Sequence, residues 1–127
     1  MKVLLSNQTT IRDVNQEFSK EFPFLKIAFY RDRQRQGEEK QLPEHTRLDE
    51  IAGQVRPTLI EIRGSDTVAA IEKRFLEMFN LPVQVCRQAG TLWLETSRSD
   101  NMSLAHQNAM GATASRPISF NIHTLFL

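Results

Sequence analysis

Apolar residues recur along the chain in two periods, and the changes of period mark its elements. Val3 and Leu5 alternate with Lys2 and Leu4, which is strand patterning. Ile11, Val14, Phe18 and Phe22 then fall at spacings of three, four and four, one stripe of a helix. Thr10 and Asp13 have capping-box spacing at its start, and Pro23 stops it. Leu25, Ile27 and Phe29 return to period two. Arg31 to His45 carries almost no apolar residue and reads as a surface loop. Thr46 with Asp49 repeats the capping-box spacing, so Thr46 to Ala52 is expected as a short helix ended by Gly53.

The second half follows the same order. Leu59 to Arg63 is a strand with Ile60 and Ile62 on its core face, and Gly64-Ser65-Asp66 is the turn and cap after it. Val68, Ile71, Phe75, Met78 and Phe79 form a helical stripe. Val83 and Val85 alternate with Gln84 and Cys86. A turn at Ala89-Gly90 brings back Leu92-Trp93-Leu94 as a hairpin that sets Cys86 against Trp93 and Val85 against Leu94. A short helix through Met110 carries Leu104 and Ala105, Gly111 to Arg116 is a small-residue linker, and Ile118, Phe120 and Ile122 alternate with polar residues in the tail.

The halves are copies in pattern. Fifty-seven residues separate Val3 from Ile60, Leu5 from Ile62, Ile11 from Val68, Phe18 from Phe75 and Phe22 from Phe79, and a one-residue slip aligns Ile27 with Val83 and Phe29 with Val85. Repeat halves 1–31 and 56–88 therefore each read strand, helix, strand, inside one α+β domain over 1–110, followed by a linker and strand-like tail over 111–127. Tandem units of this order predict a two-layer α/β sandwich, ferredoxin-like (split βαβ) with an extra hairpin strand, or alternatively a β-grasp-like second half with the first packed beside it.

Composition narrows the class. The 127 residues are 40% apolar and 24% charged with a net charge of +1, so no bulk field favours nucleic acid or an anionic membrane. The single cysteine, Cys86, excludes an internal disulfide, and no apolar run at the amino terminus approaches a signal or membrane segment, so a cytoplasmic protein is expected.

Alternation also assigns faces. With Val3, Leu5, Ile27, Phe29, Ile60, Ile62, Val83 and Val85 under the helices, Leu4, Ala28, Tyr30, Leu59, Cys86 and Trp93 share the opposite face, ringed by Lys26, Glu61, Arg63, Gln84 and Glu95. An apolar face of that kind is covered by the tail, joined to a protein partner or second copy, or used as a platform for bases. For the last, Tyr30 and Trp93 would stack and Arg31, Arg33, Arg35 and Arg63 would meet phosphates. Those arginines alternate with acids, and no RNP-type motif is present.

Catalytic chemistry finds no constellation. Cys86 has no sequence-near base, and a mid-strand cysteine is ordinarily a packing residue. His45, His106 and His123 lie in three separate segments, and no Cys-x-x-Cys or His-x-x-x-His spacing offers a metal site. Gly64-Ser65-Asp66-Thr67 holds one glycine, too few for a phosphate-binding loop. No cofactor or metal is expected.

The run from Val85 through Arg87-Gln88-Ala89-Gly90-Thr91-Leu92-Trp93-Leu94-Glu95-Thr96, the later Ser103-Leu104-Ala105-His106-Gln107-Asn108, and the earlier Glu21-Phe22-Pro23-Phe24-Leu25-Lys26 resemble a pattern of small uncharacterised bacterial proteins. The resemblance reaches Asn108 and carries no assigned activity, so it implies no catalytic residues. The expectation is a non-enzymatic interaction or assembly module. Its candidate surface comprises Tyr30, Arg63, Cys86 and Trp93 with Ile118, Phe120 and Ile122 of the tail. The alternatives are single-stranded RNA binding on the sheet face and an enzyme with a site near Cys86; no membrane association is expected.

Overall fold

The structure, a computed structural model, describes residues 1–32 and 40–116. Strand β1 (Lys2–Leu5), helix α1 (Ile11–Glu21) and strand β2 (Leu25–Phe29) are followed by short helix α2 (Leu48–Ala52). Strand β3 (Thr58–Glu61), helix α3 (Val68–Phe79) and strand β4 (Val83–Ala89) come next, then β5 (Leu92–Glu95) and α4 (Leu104–Ala114).

Local chemistry accounts for the helix ends. Thr10 and Asp13 close a full capping box on α1, with Thr10 N–H donating to Asp13 Oδ2 at 2.9 Å and Asp13 N–H to Thr10 Oγ1 at 3.1 Å. The cap of α3 is Thr67, which accepts from Ala70 N–H at 3.1 Å; Asp66, expected there, closes the preceding turn by accepting from Arg63 N–H at 2.9 Å. Helix α2 starts at Leu48 rather than Thr46, and Asp49 serves the Arg47 guanidinium through two 3.0 Å bonds instead of a capping box. A left-handed Asn80 ends α3. Met78, expected in its core stripe, lies a quarter-turn off the Ile71–Phe75–Phe79 line and is exposed.

Two antiparallel sheets result, β1–β3 and β2–β4–β5. This differs from the single sheet of a ferredoxin-like plan. The outer edge of β2 shows why. The Asn15 side chain donates to Ile27 C=O and accepts from Ile27 N–H, both at 2.8 Å, and Leu42 N–H donates to Phe29 C=O at 2.8 Å. Those ladder positions are filled by α1 and the following loop, so no further strand can pair there. Strands at matching places in the two halves pair with each other instead: Val3 opposes Ile60, and Ile27 opposes Val85.

The helix starts are tied down identically in both halves. Ile11 N–H donates to Thr46 C=O, Arg12 N–H to Glu44 C=O, and Leu48 N–H to Thr9 C=O. Fifty-six or fifty-seven residues on, Val68 donates to Met102, Ala69 to Asp100, and Leu104 to Asp66. These six bonds, all between 2.8 and 3.1 Å, satisfy amides that a helix start otherwise leaves open.

The hairpin turns at Gly90-Thr91, with Gly90 at φ +63°, so Ala89 opposes Leu92, Gln88 opposes Trp93, Arg87 opposes Leu94 and Cys86 opposes Glu95. The Cys86–Trp93 and Val85–Leu94 pairings expected from an Ala89-Gly90 turn are displaced by two positions. An even displacement preserves the faces. Helix α4 continues to Ala114, through the segment expected as linker. Gly111 makes this possible: a Cβ there would lie 2.8 Å from Phe24 Cβ and 3.2 Å from Phe24 O, so glycine lets the helix sit directly on the chain entering β2.

The main core lies between the helices and the inner strand faces. Phe18, Phe29 and Phe75 are fully buried in it, and Phe29 meets Phe75 edge to face with centroids 6.0 Å apart. None of the described helices is long and apolar enough to cross a membrane.

Candidate interaction surface

Sequence alternation places Ala28, Tyr30, Cys86 and Trp93 together, and the structure gathers these residues on the outer face of β2–β4–β5. They form a small second core rather than an open platform. Tyr30 and Cys86 are each 1% exposed. The Cys86 thiol donates to Gln84 C=O at 3.8 Å. Burial pushes the Tyr30 phenol up to about 12, with Cys86 and Glu95 adding to the shift. Gln41 and Glu95 flank its hydroxyl, yet no atom of the described residues meets hydrogen-bond geometry with it. Trp93 is half-buried against this cluster, and the Lys26 ammonium sits 4.9 Å from its ring centroid. The ring face a base would need is therefore shared with an ammonium.

Arg63 does not join this group. It lies after β3, exposed, with Nε donating to Glu61 Oε1 at 2.8 Å. The ion pair holds the Glu61 carboxyl below its ordinary range and raises Arg63, through the hydrogen bond first and charge second. Leu4 and Leu59, expected on the Trp93 face, also belong to the other sheet, because no ladder joins the two among the described residues. Arg31 is exposed. Arg33 and Arg35, with Ile118, Phe120 and Ile122, lie outside the described residues. His45 and His106 are exposed, and no group of three His, Cys, Asp or Glu able to hold a metal occurs among the described residues.

A different surface emerges on the β1–β3 ribbon. Met1 and Ile62 exchange two bonds: Met1 N donates to Ile62 C=O at 2.7 Å, and Ile62 N–H to Met1 C=O at 2.8 Å. The antiparallel alternation then makes Val3–Ile60 and Leu5–Thr58 hydrogen-bonded pairs, and Leu4–Leu59 a non-hydrogen-bonded pair with close side chains. Leu4 is 56% exposed and Leu59 60%. Met78 of α3, also 60% exposed, lines an open depression of about 400 Å³ with Leu59, Glu61, Arg63, Asp66 and Arg74. A second apolar exposure, Leu92 and Leu94, lies on β5. Leu4 and Leu59 were visible to the alternation of their strands. Met78 was not, since its place beside Phe79 looks like core.

Compared with protein-family models, with curated proteins and with solved structures, the chain finds no match in any of the three.

Proposed function

We propose that this chain is a non-enzymatic protein-interaction module that binds its partner through the outer face of the β1–β3 ribbon. The observation that carries this is the cross-strand pair Leu4–Leu59, both more than half exposed, with Met78 beside it. Leu4 and Leu59, paired on that face, lose water favourably when a partner covers them. The face around Trp93, by contrast, already buries its aromatic and thiol side chains within the chain.

The architecture supports a second element of the proposal. The bonds that anchor α1 to the start of α2 recur between α3 and the start of α4, so the duplicated unit is strand-helix-strand-helix and includes both short-loop helices. Pairing of like strands about a pseudo-twofold would then build the molecule from two such units.

Photo-cross-linking in cells tests the binding surface. A benzophenone side chain at Leu4 or Leu59 should give one recurring protein adduct that a benzophenone at exposed Gln54 on the loop before β3 does not give. Adducts destroyed by nuclease would transfer the function to RNA binding, and equal labelling from all three positions would remove the ribbon as the contact.

A further inference from the structure

We propose that the outer edge of β3 is a binding groove for an extended peptide, which adds to the ribbon as an antiparallel third strand with its apolar side chains alternating and an acidic amino-terminal end near Arg63 and Arg74. This deepens the interaction function proposed above and rests on it.

The main chain specifies an extended partner. Because Met1–Ile62 and Val3–Ile60 are hydrogen-bonded pairs, Leu59 and Glu61 direct their N–H and C=O groups away from β1. Arg74 Nη1 takes Glu61 C=O at 2.7 Å. Among the described residues, the N–H and C=O of Leu59 and the N–H of Glu61 have no backbone partner, and β3 pairs with no strand but β1. A strand edge of this kind is completed by another extended backbone: ladder bonds supply affinity and alternate side chains supply selectivity.

The groove walls specify the rest. Leu59 on the edge and Met78 on α3 are exposed and apolar, and they line one end. Arg63 and Arg74 line the other, together with Glu61 and Asp66. Each makes limited contacts with its acid, Arg63 through Nε to Glu61, and Arg74 at 3.8 Å from Asp66, which leaves further guanidinium donors for incoming carboxylates. In an antiparallel partner the residues opposite Glu61 and Arg63 are amino-terminal to those opposite Leu59, which sets the acidic end. The corresponding edge of β1 has a different character. Thr9 Oγ1 already donates to Leu4 C=O at 3.3 Å, and Lys2, Asp13 and Glu17 line that groove. Its lining holds one lysine and no guanidinium, so the two edges are not equivalent.

The test uses the full chain and a fluorescein-labelled peptide, Glu-Asp-Thr-Ile-Thr-Ile-Thr-Ile, followed by anisotropy at low salt. Saturable binding is expected, weakened at least about tenfold by Leu59→Asp, by Arg63→Glu, and by N-methylation of alternate peptide residues that removes ladder donors. Gln16→Ala in the β1 groove should leave binding unchanged. Leu59 and Arg63 are exposed, so urea midpoints of those variants should match the parent and exclude misfolding. Absence of saturation by about 1 mM peptide, equal binding of the methylated peptide, or equal loss in Gln16→Ala would overturn the proposal. So would a dimer by light scattering that Leu59→Asp dissociates, which would give the edge to a second copy. Cross-linking from Leu59 to a protein without peptide binding would retain the broader function and reject this groove.

Discussion

Tyr30 is the only tyrosine in the chain, and its hydroxyl is buried without a hydrogen-bond partner among the described residues. A buried unsatisfied hydroxyl costs stability on the order of 1–3 kcal/mol in desolvation. Tyr30→Phe is therefore expected to leave stability at pH 7 unchanged or raise it by up to about 1 kcal/mol, read by urea unfolding. The pH dependence has a definite sign. The folded phenol titrates at about 12 against 10.0 unperturbed, so the unfolded chain loses its proton first. The stability this group contributes is complete below pH 10 and is lost as pH rises toward about 12. Absorbance at 295 nm should show the phenolate appearing together with unfolding, and Tyr30→Phe should unfold less steeply across that window. Gly111 makes the converse case. Alanine there gains about 1 kcal/mol of helix propensity, yet its Cβ would meet Phe24 Cβ at 2.8 Å. Overpacking of about 1–3 kcal/mol should outweigh the gain, so Gly111→Ala is expected to lower the urea midpoint.

At the scale of elements, the residues that start and stop the helices were legible where they act on their own neighbours. Thr10, Asp13 and Pro23 act within a few residues, and α1 forms as they dictate. Thr67→Ala should cost α3 about 1 kcal/mol, because its side chain holds Ala70 N–H; amide exchange in the first turn of α3 should quicken. Capping spacing misled at Thr46, because Asp49 has a stronger claimant in the Arg47 guanidinium. The hairpin register also escaped a sequence reading, since Ala89-Gly90 and Gly90-Thr91 both offer glycine to the turn and only the ladder, with Ala89 opposite Leu92, decides. Helix α4 was truncated at Met110 in expectation, because Gly111 signals a helix end. Its actual use, close approach to Phe24, depends on a contact eighty-seven residues away in the chain.

At the scale of the molecule, one core binds both halves. Phe75 is fully buried and touches Phe29 of the first half and Phe79 of its own helix. Phe75→Ala is expected to cost about 3–5 kcal/mol and to unfold both halves in one transition, measured by calorimetry against far-UV circular dichroism. Leu4→Ser should do the reverse, leaving stability nearly unchanged while weakening the adduct formed by a benzophenone at Leu59.

The sequence by itself determined most of the residues that enter the core, which side chains of each strand face inward, and that Tyr30, Cys86 and Trp93 lie together. Periodicity encodes these because each is set by local backbone geometry. Only the tertiary structure decided which strands are neighbours. Asn15 and Leu42 close the outer edge of β2, so the strands divide into two sheets. That division carries Arg63, Leu4 and Leu59 away from Trp93 and, among the described residues, leaves the β3 edge open beside Met78. Strand partnership depends on hydrogen bonds between distant segments, and alternation along one strand contains no record of them.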